Sequence, residues 1–175
     1  MTDIIKLGLI GCGSHGRGNL VPAINSAQNA RIVTCVDIDE SRAKRVASDL
    51  GIKNYYLDYS EMLKQIPIDA VVIALPHAEI LPAAMASINA GKHLFIEKPM
   101  ALNAADGRAI VGAAKDKQVK VMVGYCQRYA AARMLMKQLL AKGVVGDIDL
   151  VIAGKGSGPL GGWLAAPPEK GGGHL

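Results

Sequence analysis

The stretch LGLIGCGSHGRGN, residues 7–19, decides the fold of this chain. An apolar, strand-like run leads into Gly11, Gly13 and Gly16, which have the spacing G-x-G-x-x-G, and a helical pattern continues to about residue 27. In such a strand–turn–helix context the first glycine permits a tight turn, the second admits a phosphate close to the backbone, and the third lets helix and strand pack closely. The spacing therefore predicts the phosphate-binding turn of a βαβ unit.

An acidic residue ends the second apolar run. Asp37 follows residues 31–36, about 20 residues beyond the glycines, where a carboxylate accepts hydrogen bonds from a dinucleotide ribose. A carboxylate there favours NAD and repels the additional phosphate of NADP. Ser41 and Arg42 lie close by in the sequence. They either reduce the preference for NAD over NADP or simply form the first turn of a helix. The sequence predicts NAD and leaves NADP open.

Short β-rich runs alternate with helical ones through residues 1–124. The run 69–75 is continuously apolar, as in a parallel strand buried on both faces. The alternation predicts an α/β fold, a Rossmann doubly wound parallel sheet with right-handed crossovers. Strands are expected at 4–10, 31–37, 53–56, 69–75, 93–96 and 119–124, and helices at about 14–27, 41–50, 58–66, 78–90 and from Asn103, with Gly51 and Gly91 after two of them.

A second domain is predicted to begin after the sheet. Residues 130–142 have a helical pattern, residues 148–153 have a strand pattern, and the remaining tail is rich in Gly and Pro. A long structureless tail is unusual on a compact domain. We therefore expect residues 1–124 to form the NAD(P)-binding Rossmann domain and residues 125–175 to be the incomplete, truncated start of an α/β substrate domain.

Composition limits the classes of protein further. Half of the 175 residues are hydrophobic and a fifth are charged, as in a folded globular protein. No apolar run reaches the ~20 residues of a membrane helix, and the N-terminus shows no signal-peptide pattern. Three scattered cysteines, Cys12, Cys35 and Cys126, are expected to be free thiols. These features predict a cytoplasmic protein without a membrane partner.

The net charge of +5 raises the question of nucleic-acid binding. Basic residues are dispersed among acidic ones and aromatic residues make up 4%, so no basic and aromatic stripe is formed. Cysteine and histidine residues likewise lack the spacing of metal ligands. The sequence predicts neither a nucleic-acid partner nor a metal.

Two charged residues end the fifth predicted strand. Glu97, Lys98 and Pro99 follow the apolar run 93–96. Charge at the rim of a core is costly unless a crevice with a polar ligand lies there, and open α/β sheets bind ligands at the carboxyl ends of their strands. We interpret Lys98 as a site residue. The alternative is a solvated lysine paired with a helix carboxylate.

Three other classes of protein share some of these features. A P-loop is excluded because Arg17 and Gly18, rather than Lys and Ser/Thr, follow the third glycine. A methyltransferase also places a glycine loop and a strand-end acid around a nucleoside, as S-adenosylmethionine, but it does not require the Glu97-Lys98-Pro99 ending. A non-catalytic dinucleotide-binding or regulatory protein stays open.

Together these motifs resemble the Gfo/Idh/MocA family of glucose–fructose oxidoreductase and inositol dehydrogenase-like proteins. IGCGSHGRGN resembles the first loop of that family and CVDIDESRA its second strand and turn. AGKHLFIEKPMALN is the most specific stretch. VGYCQRY, LLAKGVVGDI and WLAAPPEKGGGHL resemble the segments that lead into the second domain and towards the catalytic motif.

The resemblance implies an NAD(P)-dependent oxidoreductase. Its members move hydride between a nicotinamide and a hydroxyl carbon of a sugar, cyclitol or related small molecule, and a complete protein is expected to be a homo-oligomer. Lys98 would be catalytic and contact the substrate hydroxyl, while Glu97 would lie beside the nicotinamide; Arg128 and Trp163 are further candidates for substrate contact. The expected cofactor-binding residues are Gly11, Cys12, Gly13, Ser14, His15, Gly16, Asp37, Leu75, Pro76, Glu97 and Lys98.

The chain departs from the family pattern in two places. A histidine is frequent four residues after the proline that follows the fourth strand, but here Ile80 has that position and His77 directly follows Pro76. The family's aspartate and its histidine general acid/base come after the glycine-rich segment, beyond Leu175. We therefore expect this sequence to supply a cofactor site and half of an active site.

Overall fold

The strands form one parallel sheet in this computed structural model, which describes residues 3–152 and 154. Within those residues the sheet has six strands in the order β3-β2-β1-β4-β5-β6. This order confirms the predicted doubly wound Rossmann arrangement. The strands are β1 (Ile5–Ile10), β2 (Ala30–Val36), β3 (Tyr55–Tyr56), β4 (Ala70–Ile73), β5 (His93–Ile96) and β6 (Val121–Val123).

Helices connect the strands, and three of them begin next to a side chain that caps the first turn. The side chains of Asp39, Asp58 and Asn103 each accept a backbone N–H at a helix start, and Gly51 ends a helix with φ +64°. None of the described helices has the length and apolar character required to cross a membrane. The helices are α1 (Val21–Asn25), α2 (Glu40–Leu50), α3 (Tyr59–Gln65), α4 (His77–Asn89), α5 (Ala104–Asp116) and α6 (Ala131–Ala141), with a 3₁₀ turn at Cys126–Tyr129.

The helix predicted at about 14–27 differs from the observed structure. A π-helical segment, Gly16–Leu20, precedes the short α1. Val21, the first residue of α1, donates its backbone N–H to the Gly16 carbonyl, and Pro22 follows it. Proline has no N–H to donate, so the regular hydrogen-bond ladder cannot run unbroken through this position.

Both faces of the sheet are covered by helices. Val71 and Ile73 of β4 belong to one buried apolar cluster, whereas Val72 between them belongs to the cluster on the other face. Each cluster also contains helix residues, such as Ile80 of α4 in the first and Val46 of α2 in the second. This explains why the fourth strand is continuously apolar, as predicted for a strand buried on both faces.

The last residues of all six strands lie in one row. Ile10 pairs with Val36 on one side and with Ile73 on the other, and the pairing continues outward in register to Tyr56 and, through Ile96, to Val123. Whatever follows each strand therefore emerges along the same edge of the sheet.

One predicted strand is wrong. Residues 148–152 form no strand, and residue 153 lies outside the described residues. The apolar pattern is present, but a strand needs a neighbour to bond its backbone groups, and Ile148, Leu150 and Ile152 are exposed. The helix predicted at 130–142 is confirmed as α6, with exposed apolar residues such as Met134 and Leu139.

Candidate functional site

A cleft of about 1250 Å³ opens along the carboxyl ends of the strands. It lies at the centre of the strand order, where β1 has β2 on one side and β4 on the other. Such a topological switch point is where open α/β sheets bind ligands. Residues at or just beyond the ends of all six strands line it: Ile10, Val36, Leu57, Ala74, Glu97 and Tyr125.

The first and third loop glycines are required by the protein's own packing. Gly11 has φ +100°, and a Cβ built on it would lie 2.2 Å from the Ala74 carbonyl oxygen. A Cβ on Gly16 would lie 2.1 Å from the carbonyl oxygen of Gly11. Both distances are too short for any side chain, so the loop packs tightly against the connection after β4.

Gly13 differs from its two neighbours in the motif. It lines the cleft, its φ is not in the left-handed region, and a Cβ built on it meets no protein atom within 4 Å. The fold itself therefore does not require glycine at this position. Its missing side chain leaves room for a ligand to approach the backbone at the start of a helical segment, where Arg17 donates its N–H to the Gly13 carbonyl.

Asp37 is nearly buried and braces the glycine loop. Its Oδ2 accepts the Cys12 N–H at 2.8 Å, and its Oδ1 accepts the Asp39 N–H at 3.0 Å. The residue is 9% exposed and lines the cleft. A carboxylate offers about four acceptor positions, so two bonds to the backbone leave capacity for a ligand hydroxyl. Sequence reasoning found the position but missed the bracing contact.

Cys12 lies beneath the loop rather than on the cleft wall. Its N–H is bonded to Asp37, and its Sγ lies 3.5 Å from the Val36 carbonyl oxygen. The pKa of its thiol is raised because it is hydrogen-bonded to Cys35, is buried, and lies near the Asp37 carboxylate. Cys12 is consequently a neutral thiol and not a nucleophile.

A contact between Glu97 and His15 joins the end of β5 to the glycine loop. Glu97 Oε1 lies 3.2 Å from His15 Nε2, and the Asn19 amide nitrogen lies 2.9 Å from His15 Nδ1. An Nε2–H tautomer satisfies both contacts, since Asn19 then donates to Nδ1 and the ring donates to Glu97. This contact crosses the sheet's switch point and was not visible in the sequence.

The immediate surroundings of Glu97 also hold its carboxylate in place. Its Oε2 accepts the backbone N–H of Lys98 at 3.2 Å. A Cβ on Gly124, just beyond β6, would lie 2.8 Å from Glu97 Oε1, so any side chain at this position would force the Glu97 carboxylate to shift. Lys98 is exposed and lines the cleft, and its peptide bond to Pro99 is cis.

The start of α4 forms another part of the cleft wall. Leu75 and Pro76 line it as predicted, together with His77, the first residue of the helix, which is 7% exposed. Ile80, at the position where the family frequently has histidine, is fully buried in the core. The imidazole on this wall therefore comes from His77.

Most of the predicted cofactor-binding residues lie together on this cleft. Cys12 and Gly16 do not line it, because both are buried behind the loop. Arg128 lies in the turn beyond Tyr125 and is exposed, but it is not among the lining residues, and Trp163 lies outside the described part of the chain. Their roles in substrate contact stay predictions.

Sequence reasoning missed the wall beyond β2 and β3. Ile38 is 92% exposed beside Asp37, and Leu57 is 47% exposed after β3. Because parallel strands end at one edge, the residue after each strand could have been proposed from the strand order alone. Arg42, Asp58, Tyr59 and Ser60 also line this wall, whereas Ala78 and Glu79 line the cleft at the start of α4.

The strand order and the helices on both faces define a fold of the Rossmann class. Residues 5–125 match the model of a family described as an oxidoreductase family with an NAD-binding Rossmann fold, GFO_IDH_MocA. The match covers the glycine loop, Asp37 and the Glu97-Lys98-Pro99 ending. The chain belongs to the Gfo/Idh/MocA family, as its motifs predicted.

Named relatives agree with this membership. Inositol 2-dehydrogenase 1 of Saccharopolyspora erythraea is 32% identical over 150 residues, which cover 84% of this chain and 44% of the relative. The scyllo-inositol dehydrogenase of Lactobacillus casei, solved with bound NAD(H) and scyllo-inositol, has a TM-score of 0.78 at 26% identity, covering 83% of this chain and 43% of the other. The WlbA dehydrogenase of Bordetella pertussis, solved with NADH and UDP-GlcNAcA, has a TM-score of 0.77 at 30% identity, with coverages of 82% and 43%. This chain thus spans less than half the length of these relatives.

Proposed function

We propose that this chain is the cofactor-binding part of an NAD-dependent oxidoreductase that acts on a hydroxyl carbon of a sugar, cyclitol or related small molecule. The observation that carries the proposal is the open space at Gly13, on a cleft that Asp37, Glu97 and Lys98 also line. The substrate class is supported by inositol and a nucleotide sugar in the names of similar proteins.

The residues of the cleft fit a dinucleotide in three parts. The pyrophosphate would lie against the backbone at Gly13, where the absent side chain and the start of a helical segment favour phosphate. Asp37 would accept hydrogen bonds from the ribose hydroxyls with its remaining acceptor capacity. The exposed apolar side chains of Ile38 and Leu57, both on the cleft wall, would supply surface for the adenine ring.

Lys98 is proposed to act on the substrate hydroxyl. A bound nicotinamide would supply the acceptor or donor of hydride. The ammonium group of Lys98, at the exposed rim of the cleft, would donate a hydrogen bond to the substrate oxygen and stabilise the negative charge that develops as the hydroxyl loses its proton. Proton removal also requires an acceptor, for which the family resemblance implies an aspartate and a histidine beyond the glycine-rich segment.

The cellular compartment and the oligomeric state of the protein stay predictions. Cys12, Cys35 and Cys126 are free cysteines, which supports a reducing compartment such as the cytoplasm. Assembly of a complete protein into a homo-oligomer is implied by the family resemblance.

The proposed reaction is tested by following NADH formation. Because the family's proton acceptor is expected beyond the glycine-rich segment, the test uses a protein in which a complete substrate domain of the family follows this chain. That protein would be incubated with NAD and, in turn, myo-inositol, scyllo-inositol and a UDP-sugar acid. We expect NADH absorbance to rise with at least one of these polyols or sugars. Tight NAD binding without turnover of any of them would instead support a non-catalytic dinucleotide-binding protein.

A smaller prediction concerns the contact between His15 and Glu97. His15→Ala removes one hydrogen bond to a carboxylate that faces the proposed nicotinamide end, so we expect the Kd for NAD to rise about threefold to tenfold, as for the loss of one such bond. Isothermal titration calorimetry measures this directly. His93→Ala is the matched control, because His93 is exposed at the opposite end of β5. Equal NAD affinities in the two variants would contradict a role for His15.

A further inference from the structure

We propose that Asp39 is a second cofactor-selecting residue, which keeps the positive and hydrogen-bonding groups beside Asp37 from binding the 2′-phosphate of NADP. The inference rests on the proposed dinucleotide site and deepens it. Asp37 alone disfavours that phosphate by repulsion, whereas Asp39 would act by occupying the groups that could otherwise bind it.

The start of α2 carries a compact cluster around Asp39. Its Oδ1 accepts the Ser41 N–H at 2.9 Å, the Ser41 hydroxyl at 2.6 Å and the Arg42 N–H at 3.3 Å. Its Oδ2 lies 3.2 Å from Arg42 Nε in an ion pair. One carboxylate thus engages both side chains and two backbone donors.

This cluster adjoins the ribose end of the cleft. Arg42 lines the cleft together with Asp37, and Asp39 donates its own N–H to Asp37 Oδ1 at 3.0 Å. The Arg42 side chain is 58% exposed and that of Asp39 is 41% exposed. The side chains of Arg42 and Asp39 are therefore accessible from solvent, and Arg42 lines the same cleft as Asp37.

The groups in the cluster are those that normally bind phosphate. An arginine, a hydroxyl and free N–H groups at a helix start are favourable partners of a phosphate dianion. The pKa of Asp39 is lowered by the Ser41 hydroxyl and by bonds from the Arg42 and Ser41 backbone, so the residue stays ionised at neutral pH. Its negative charge satisfies these donors and offsets the charge of Arg42.

The structure gives Ser41 and Arg42 a role that the sequence did not predict. They stand where they could soften the preference for NAD, but in this structure both are held by Asp39. Selectivity against NADP then arises from two carboxylates. Asp37 repels the phosphate at the ribose, and Asp39 pairs with Arg42, which is the one arginine among the described residues that line the cleft.

Asp39→Asn tests the inference with little disturbance of the fold. Asparagine caps helices about as well as aspartate, so the amide oxygen can keep the backbone bonds while the charge is removed. We expect the Kd for NADP to fall about tenfold, the size of effect that one nearby charge exerts on a phosphate, and the Kd for NAD to change by less than about twofold. Both constants would be measured by calorimetry on the chain with and without the substitution.

Glu40→Gln is the matched control. Glu40 also lies in the first turn of α2 and pairs with Lys44 at 3.0 Å, but it does not line the cleft. This variant has the same change in net charge as Asp39→Asn, so we expect its ratio of NADP to NAD affinity to stay within about twofold of the unmodified protein. An equal gain in NADP affinity would show an effect of net charge and overturn the role of Asp39.

The remaining outcomes separate this inference from the proposed function. If the unmodified chain binds NAD and Asp39→Asn leaves the ratio of affinities unchanged, the inference about Asp39 is wrong and the dinucleotide site stands. If the folded, unmodified chain binds neither dinucleotide, the proposed function itself is wrong. Adding Arg42→Ala to Asp39→Asn should remove the gain in NADP affinity, and a gain that persists would also overturn the inference.

Discussion

Gly13→Ala is expected to weaken NAD binding at least about 100-fold while leaving the fold unchanged. No protein atom lies within 4 Å of a Cβ built at this position, so the methyl group would project into open space on the cleft wall. In the proposed complex the pyrophosphate approaches the backbone at this point. The measurements are the NAD affinity by calorimetry and the thermal midpoint by circular dichroism.

Gly18→Ala is the control for that substitution. Gly18 is exposed, has no atom within 4 Å of a built Cβ, and is not part of the cleft wall. The same methyl group should leave the Kd for NAD within about twofold of the unmodified chain. A folded Gly13→Ala protein that binds NAD as well as the Gly18→Ala protein would contradict the placement of the pyrophosphate. Gly16→Ala is less informative, since its Cβ would clash with the Gly11 carbonyl.

In a protein that carries this chain together with a complete substrate domain of the family, Lys98→Met is expected to lower turnover at least about 1000-fold while changing the NAD affinity by less than about threefold. Methionine keeps an unbranched side chain but cannot donate a hydrogen bond or stabilise an oxyanion. In the proposed mechanism Lys98 contacts the substrate hydroxyl, so its loss should act on the chemical step rather than on cofactor binding. NADH formation measures the first quantity and calorimetry the second.

The matched control for Lys98 is Lys64→Met. Lys64 is an exposed lysine in the last turn of α3 and does not line the cleft. We expect this variant to keep the turnover of the unmodified protein. If the Lys98→Met protein matched it in turnover, Lys98 would be the solvated strand-end lysine of the alternative interpretation.

The fold could be predicted because its signals are local. The apolar run of β4, the glycine spacing after β1 and the caps at Asp58 and Asn103 each depend on neighbouring residues in the sequence. Strands that alternate with helices then restrict the topology to very few arrangements. The strand predicted at 148–153 was wrong because its signal is not sufficient locally. A strand needs a neighbouring strand to bond its backbone groups, and a favourable apolar pattern does not show whether such a neighbour exists.

The candidate site was only partly predictable for the same physical reason. Motifs placed Asp37, Glu97 and Lys98 at strand ends, and all three line one cleft. The contact between His15 and Glu97 joins residues that are far apart in the sequence and meet only because β1 and β5 flank β4. The pairing of Asp39 with Ser41 and Arg42 likewise depends on side-chain geometry, which the sequence does not specify.

The measurement that tests the central claim most directly is a calorimetric titration of the folded chain with NAD, repeated with NADP and with S-adenosylmethionine. We predict saturable binding of NAD at one site, weaker binding of NADP, and no binding of S-adenosylmethionine. That result would support the cleft over Gly13 and Asp37 as a dinucleotide site. Binding of S-adenosylmethionine in place of NAD, by a chain that circular dichroism shows to be folded, would contradict the account and favour a methyltransferase.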